Sequence, residues 1–136
     1  MSNVIAAVVI AAILAALFFG GTWALRLRGR RIAASRQGES FEDFAQSFHG
    51  EVPLDILEAV YGYFSDWMSD AGPHFPVRGS DSIYKIYGIV DEDLDDAALE
   101  ILGHCHREAP SDFRPLLTVS DLAYYVAAGS TTTVKA

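Results

Sequence analysis

The sequence predicts an all-α protein, with a single N-terminal transmembrane helix followed by a small helical bundle. Three observations support this fold class. Residues 4–25 contain no charged side chain, later apolar residues recur at the three- and four-residue spacing of helices, and helix-capping residues separate these apolar stretches. No stretch alternates convincingly enough for a strand. With 136 residues, the chain has room for one small globular domain.

The uncharged run is predicted to span a membrane. Its 22 residues would extend about 33 Å as a helix, and a hydrocarbon core is about 30 Å thick. A cleaved signal peptide is the rival interpretation, but such peptides have a basic start and a shorter apolar core. We therefore assign residues 1–25 to an uncleaved anchor. Small residues at four-residue spacing make it a candidate for packing against another membrane helix: Ala12, Ala16, Gly20 and Ala24.

Positive charge predicts the orientation of this anchor. Five of the ten Lys and Arg residues lie between positions 26 and 36, and cytoplasmic flanks carry an excess of such residues. We predict a single-pass protein of the inner or cytoplasmic membrane, with its N-terminus outside and its C-terminal domain in the cytoplasm. The lone Cys105 agrees with a reducing compartment. Residues 26–39 are predicted to be an Arg-rich juxtamembrane linker, into which the anchor helix can continue.

The rest of the chain is acidic. Residues 37–136 carry 18 acidic and five basic side chains, a net charge of −13 (five minus 18). Phosphate recognition needs cationic contacts, so nucleic acid is excluded as a partner. The predicted partners are the lipid bilayer and a protein with a basic surface, either on its own or within a larger membrane complex. We predict an acidic helical domain over residues 40–128.

Capping residues place the first two helices of this domain. The first is predicted to begin at Ser40, which forms a capping box with Asp43, and to end at Gly50. The second begins near Pro53, a residue favoured in a first turn. Its apolar face ends near Met68 and consists of Ile56, Leu57, Val60, Tyr61, Phe64 and Trp67.

The remaining helices are placed by the same signals. A short helix in "IYKIYG" stops at Gly88, and a longer one opens at "DEDLDD", where acids face the positive end of the helix dipole. The last helix begins with a capping box of Thr118 and Asp121 and ends at Gly129, where a C-terminal glycine belongs. Residues 129–136 are predicted to be a flexible tail.

From about residue 52, the order of these elements resembles an acyl carrier protein. The resemblance is carried by "IYGIVDEDLDDAALEIL" and "LLTVSDLAYYV". Such carriers have a short apolar turn ending in glycine, then Asp-Ser-Leu at the start of an acidic second helix, and the serine bears phosphopantetheine. Placing Asp-Ser-Leu on Glu92-Asp93-Leu94 fits the preceding loop and the distance to Thr118-Val119. The resemblance then implies the carrier shape without its serine, and hence no cofactor, because a carboxylate cannot form the phosphodiester.

The alternative register places Asp-Ser-Leu on Asp81-Ser82-Ile83. The protein would then be a membrane-tethered working carrier, with 4′-phosphopantetheine on Ser82. In that register the loop before the second helix is too short, and Gly88 lies inside the helix at a cost of about 1 kcal/mol relative to alanine. A third interpretation is a small accessory subunit of a respiratory or photosynthetic membrane complex.

Neither catalysis nor metal binding is predicted. There is no nucleophile with a base at recognisable spacing and no glycine-rich phosphate loop. Asp91, Asp93 and Asp95 resemble the start of a calcium loop, but the glycine and glutamate that such a loop needs at its sixth and twelfth positions are absent. In His104-Cys105-His106, residues two apart on a helix point to different sides, which disfavours a shared metal ion.

The sequence thus predicts a membrane-anchored, non-enzymatic binding or adaptor subunit. Its acidic, carrier-like head would dock on a basic partner surface at the cytoplasmic face. This assignment rests on charge and on the resemblance, since carriers dock through their second helix. The predicted docking residues begin that helix: Asp91, Glu92, Asp93, Asp95 and Asp96.

Overall fold

The computed structural model describes residues 2–112 and 114–132, and it confirms the all-α fold class. Within these residues, extended pairing is limited to two isolated bridges, Ser82 with Thr118 and Arg107 with Thr131. A 3₁₀ helix covers Ser69–Ala71. The α-helices are α1 (Ser2–Ser35), α2 (Phe41–Gln46), α3 (Leu54–Trp67), α4 (Ile83–Tyr87), α5 (Asp91–His104) and α6 (Val119–Ala128).

Helix α1 is one continuous rod that begins in the predicted anchor and ends in the head. Its 34 residues correspond to about 51 Å, and it is long and apolar enough to cross a membrane. The segment 26–39, predicted as a linker, is helical as far as Ser35. Ile32 and Ala33 pack against the core of the bundle. The head is therefore joined to the anchor by a packed helix.

The capping box at the start of α2 is confirmed. The Asp43 carboxylate accepts a hydrogen bond from the Ser40 backbone N–H at 2.8 Å. Helix α2 ends at Gln46, four residues before the predicted end at Gly50. Both His49 and Gly50 have positive φ, 52° and 76°, and such left-handed residues do not continue a right-handed helix.

Helices α3, α4 and α5 begin and end close to their predicted positions. Pro53 directly precedes α3, and Gly88 follows α4 in the left-handed conformation with φ 68°. Three of the residues predicted for the apolar face of α3, Ile56, Val60 and Phe64, are fully buried. Trp67 was predicted for the same face but is 43% exposed. It lies at the last turn of α3, where its indole N–H donates to the Tyr87 carbonyl at 2.8 Å.

Helix α6 is capped as predicted, but its terminal glycine has a different role. Asp121 accepts from the Thr118 N–H at 3.0 Å, and the Thr118 hydroxyl accepts from the Asp121 N–H at 3.2 Å. Gly129 has an ordinary φ of −66°, so no left-handed turn requires it. A Cβ at this position would lie 2.2 Å from the Glu108 carbonyl oxygen. Glycine is required there because two backbone segments approach closely.

That close approach pairs the start of the predicted tail with an earlier segment. The Glu108 N–H donates to the Ser130 carbonyl at 2.9 Å, and the Thr132 N–H donates to the His106 carbonyl at 2.8 Å. Residues 129–132 are thus held against the segment that follows α5. The rest of the predicted tail, residues 133–136, lies outside the described residues.

The core of the head lies where α3, α5 and α6 pack on one another, with α2 against α3. Its fully buried side chains are mostly aliphatic and aromatic, as expected for a domain that depends on a single apolar core. The largest of them are Phe48, Phe64, Phe75, Ile56, Ile83, Leu122, Val60, Val119 and Val126.

Candidate interaction site

The five carboxylates predicted as one docking face are all exposed, but four of them divide between two flanks of α5, and Glu92 lies between the two pairs around the helix axis. Asp91 and Asp95 line a cleft of about 770 Å³ between α5 and the segment 110–117. Arg114 lines the same cleft. Asp93 and Asp96 instead lie close enough to Tyr63 of α3 for their negative charges to raise its pKa. Helical geometry explains this division, because successive residues are rotated by about 100° around the axis.

A groove between α3 and α5 gathers aromatic and acidic side chains. Its volume is about 590 Å³. Tyr63 and Trp67 stack along it, with ring centroids 6.3 Å apart and planes inclined by 23°. Apart from neighbouring residues and backbone of α3 itself, no atom lies within 4 Å of where a Gly62 Cβ would stand, so the middle of the groove is open. The lining residues are Glu58, Ala59, Gly62, Tyr63, Asp66, Trp67, Glu100, Ile101 and His104.

Negative charge surrounds the tyrosine in this groove. Burial raises the pKa of Tyr63, and the carboxylates of Glu100, Asp93 and Asp96 raise it further. These three acids lie at positions i, i+3 and i+7 of α5, so they form one stripe beside the groove. Glu58 and Asp66 face them from α3. The groove therefore combines an apolar floor, aromatic faces and carboxylates from both helices.

Sequence reasoning missed most of this groove. Glu58, Asp66 and Glu100 were not singled out, and Trp67 was predicted to be internal. A signal was present, because Glu58, Gly62 and Asp66 recur at four-residue spacing and so share one stripe of α3. That stripe lies beside the apolar face, as expected for the rim of a groove.

A buried ion pair joins the end of α1 to the head. Arg36 and Asp81 are 6% and 4% exposed, and their side chains form two hydrogen bonds of 2.8 and 2.5 Å. The Arg36 guanidinium also donates to the Pro76 carbonyl at 3.0 Å. Asp81 accepts from the Tyr87 hydroxyl at 2.8 Å and the Arg78 N–H at 3.0 Å. Such shared hydrogen bonds are what makes a buried charge pair tolerable.

The tyrosine beside this pair, Tyr87, is held in its protonated form. Burial raises the pKa of Tyr87 above its ordinary value, and the negative Asp81 carboxylate raises it further. The phenol therefore remains protonated and donates to Asp81. Phe64 and Phe75 pack against the Tyr87 ring, with centroids 4.7 and 5.9 Å away.

A second contact brings α1 close to the 3₁₀ helix. Gly29 is the one buried residue of α1, and a Cβ there would lie 2.6 Å from the Ala71 Cβ. The guanidinium of the preceding residue, Arg28, donates to the Lys85 carbonyl. Together with the Arg36–Asp81 pair, these contacts hold the last turns of α1 on the head.

The serine of the alternative carrier register caps a helix. The Ser82 hydroxyl accepts a hydrogen bond from the Lys85 N–H at 3.1 Å, at the start of α4. Its side chain is partly buried, and its backbone forms the bridge to Thr118. In the favoured register, Asp93 is an exposed carboxylate in the first turn of α5. That position cannot bear phosphopantetheine.

The segment His104-Cys105-His106 begins with the last residue of α5 and continues as a turn. The helix ends at His104, and His106 has a positive φ of 53°. Cys105 is partly buried against the core, and burial raises the pKa of its thiol. Among residues 2–112 and 114–132, no three His, Cys, Asp or Glu side chains are grouped to hold a metal ion.

The small residues predicted for membrane-helix packing lie on the exposed part of α1. Ala12, Ala16, Gly20 and Ala24 are all exposed. Apart from neighbouring residues and backbone of α1 itself, no atom lies within 4 Å of where a Gly20 Cβ would stand. This helix surface is available to lipid or to another helix, and its packing role stays a prediction.

Comparisons with known proteins provide no relative for this chain. No protein-family model matches it, and no match is found among curated proteins or solved structures.

Proposed function

We propose that this protein is a membrane-anchored, non-enzymatic docking subunit, whose head binds a basic surface of a partner protein. The observation that carries the proposal is the groove between α3 and α5. It combines two stacked aromatic side chains with carboxylates on both walls.

The chemistry of the groove favours Arg and Lys side chains. A guanidinium or ammonium group is attracted to the face of Trp or Tyr, and this attraction adds to its pairing with carboxylates. The net charge of −13 over residues 37–136 steers a basic partner toward the head and disfavours acidic ones. A basic helix that inserts an aliphatic or Arg side chain over Gly62 fits this groove.

The anchor would determine how the head is presented. We place α1 across the inner or cytoplasmic membrane with its N-terminus outside, because the Arg residues follow the apolar run. The head then lies in the cytoplasm directly beneath the bilayer. Because the last turns of α1 pack on the head through Gly29 and Arg36, the groove keeps a fixed orientation to the membrane. The partner is accordingly a membrane protein or a protein held at the membrane surface.

The resemblance to acyl carrier proteins supports the same use of α5. Carriers dock on basic enzyme surfaces through their acidic second helix, and in the favoured register α5 is that helix. This chain would keep the docking surface without the attachment serine. The structure divides that surface, so we assign docking to the flank with Asp93, Asp96 and Glu100 and not to the flank with Asp91 and Asp95.

The two flanks provide a charge-matched test of docking. We expect the double substitution Asp93→Lys and Asp96→Lys to reduce recovery of the partner by about ten-fold or more, because like charges across an interface cost several kcal/mol. The tagged full chain is purified from its own membranes in mild detergent, and the stoichiometric co-purifying protein is quantified. The control is Asp91→Lys with Asp95→Lys, which makes the same charge change on the same two turns.

The control variant is expected to keep most of the binding. Circular dichroism of both variants checks that the head remains helical. Two results would contradict docking at the α3–α5 groove. In one, both double variants recover as much partner as the unmodified chain; in the other, both lose the partner to the same extent.

A further inference from the structure

A second cleft lies where the anchor helix meets the head. It has a volume of about 370 Å³. One wall is the last apolar turn and the first basic turns of α1, and the other wall comes from the end of α3, the 3₁₀ helix and the end of α4. The lining residues are Thr22, Leu25, Arg26, Arg28, Gly29, Trp67, Met68, Asp70, Ala71, Ile86, Tyr87 and Gly88.

The position of this cleft along α1 coincides with the membrane boundary. The uncharged run ends at Leu25, and Arg26 is the first charged residue of the chain. If Leu25 marks the edge of the hydrocarbon, Arg26 and Arg28 lie within about 5 Å of it along the axis, at the depth of lipid headgroups. This placement rests on the anchoring part of the proposed function and not on the docking of a partner.

The lining of the cleft matches the two parts of an anionic phospholipid. Arg26 and Arg28 are two positions apart on α1, but both line this cleft, because long arginine side chains reach the same space from different sides of a helix. Their guanidinium groups suit a phosphate, and Arg28 is oriented by its bond to the Lys85 carbonyl. Leu25, Met68 and Ile86 supply apolar wall beside them, which suits the glycerol end of the acyl chains. One acidic residue, Asp70, lines the cleft against these two arginines, so the lining stays net positive within an otherwise acidic head.

Trp67 connects this cleft to the docking groove. Its ring lines both cavities, and its indole N–H is fixed on the Tyr87 carbonyl. Indole rings favour the headgroup region of bilayers. An occupant of the cleft would therefore contact the same side chain that forms one end of the groove.

We propose that this cleft binds one anionic phospholipid of the surrounding leaflet, with its phosphate on Arg26 and Arg28 and its upper acyl chains along Leu25, Met68 and Ile86. The lipid fills the wedge between anchor and head. It is a site of this chain alone and needs no partner protein.

Lipid retention by the purified full chain tests this site. The chain in detergent micelles is titrated with phosphatidylglycerol or phosphatidylcholine of identical acyl chains, and bound lipid is counted by native mass spectrometry. We expect one phosphatidylglycerol per chain, with about ten-fold preference over phosphatidylcholine. The substitutions Arg26→Gln and Arg28→Gln should abolish that preference. Arg30→Gln with Arg31→Gln, which removes equal charge from the same helix outside the cleft, should change it by less than about two-fold.

A second measurement does not depend on the double variant folding normally. In the Trp23→Phe chain, Trp67 is the remaining tryptophan. We expect phosphatidylglycerol brominated near the glycerol end to quench Trp67 several-fold more than the matching phosphatidylcholine, and Arg26→Gln alone to reduce this difference.

Several results would overturn the lipid site. These are equal retention of the two lipids, equal loss with both arginine pairs, displacement by inorganic phosphate alone, or occupation of the cleft by a second copy of the chain. Each can be observed while partner binding and membrane anchoring remain intact, so failure here is separate from failure of the proposed function.

Discussion

Replacing Arg36 with methionine is expected to destabilise the head by about 3–5 kcal/mol, because it leaves the Asp81 carboxylate buried without its counter-charge. Asp81 would keep two hydrogen-bond donors, the Tyr87 hydroxyl and the backbone N–H of Arg78. Neither donor carries a charge that compensates the buried carboxylate. Chemical unfolding of the detergent-solubilised full chain, followed by near-ultraviolet circular dichroism, measures the change.

Arg78→Met provides the matched control for Arg36→Met. Arg78 pairs with Glu39 through two hydrogen bonds, but its side chain is 47% exposed. Removing an exposed pair is expected to change stability by less than about 1 kcal/mol. A similar loss of stability in the two variants would show that the Arg36–Asp81 pair is not buried in the protein. That result would also contradict a rigid junction between α1 and the head.

The single substitution Phe64→Ala is expected to lower the free energy of unfolding by about 3–5 kcal/mol, the usual range for truncating a buried phenylalanine. Phe64 is 0% exposed and its ring is 4.7 Å from that of Tyr87. The cavity would therefore open beside the phenol that donates to Asp81. We expect this variant also to weaken the contact between α1 and the head, seen as faster amide exchange in residues 29–36.

Tyr84→Ala is the aromatic control for Phe64→Ala. Tyr84 lies on α4 and is 68% exposed, so its removal should change stability by no more than about 0.5 kcal/mol. A Phe64→Ala variant as stable as Tyr84→Ala would mean that the core of the head is not where the structure places it.

The helices could be predicted because their signals are local. Ser40 with Asp43 and Thr118 with Asp121 form capping boxes within four residues, and Gly88 ends α4 by its own conformation. Gly129 shows the limit of such signals. Its position after α6 was predicted, but the reason for it is the Glu108 carbonyl, 21 residues earlier in the chain.

The junction between anchor and head could not be predicted from the sequence. Arg36 is one of five arginines between positions 26 and 36, and nothing local distinguishes it from the others. Its burial depends on Asp81 and on the Pro76 carbonyl, which only the folded chain brings together.

The acids proposed for docking can be picked out from the sequence, but their arrangement around α5 cannot. The run of acids in the sequence marks the start of α5 but does not show on which side of the helix each acid lies. The rotation of the helix separates Asp93 and Asp96 from Asp91 and Asp95. Six of the nine residues that line the groove, including Glu58 and Tyr63, come from α3. Their proximity to α5 depends on how the two helices pack.

We propose that α1 anchors the chain in the inner or cytoplasmic membrane and holds the head on the cytoplasmic side. Alkaline extraction of membranes, followed by protease treatment of intact cells and of inverted vesicles, tests it most directly. We predict that the chain stays in the membrane fraction, that the head survives protease outside intact cells, and that it is digested in inverted vesicles. A freely soluble chain, or a head digested from outside, would contradict the account.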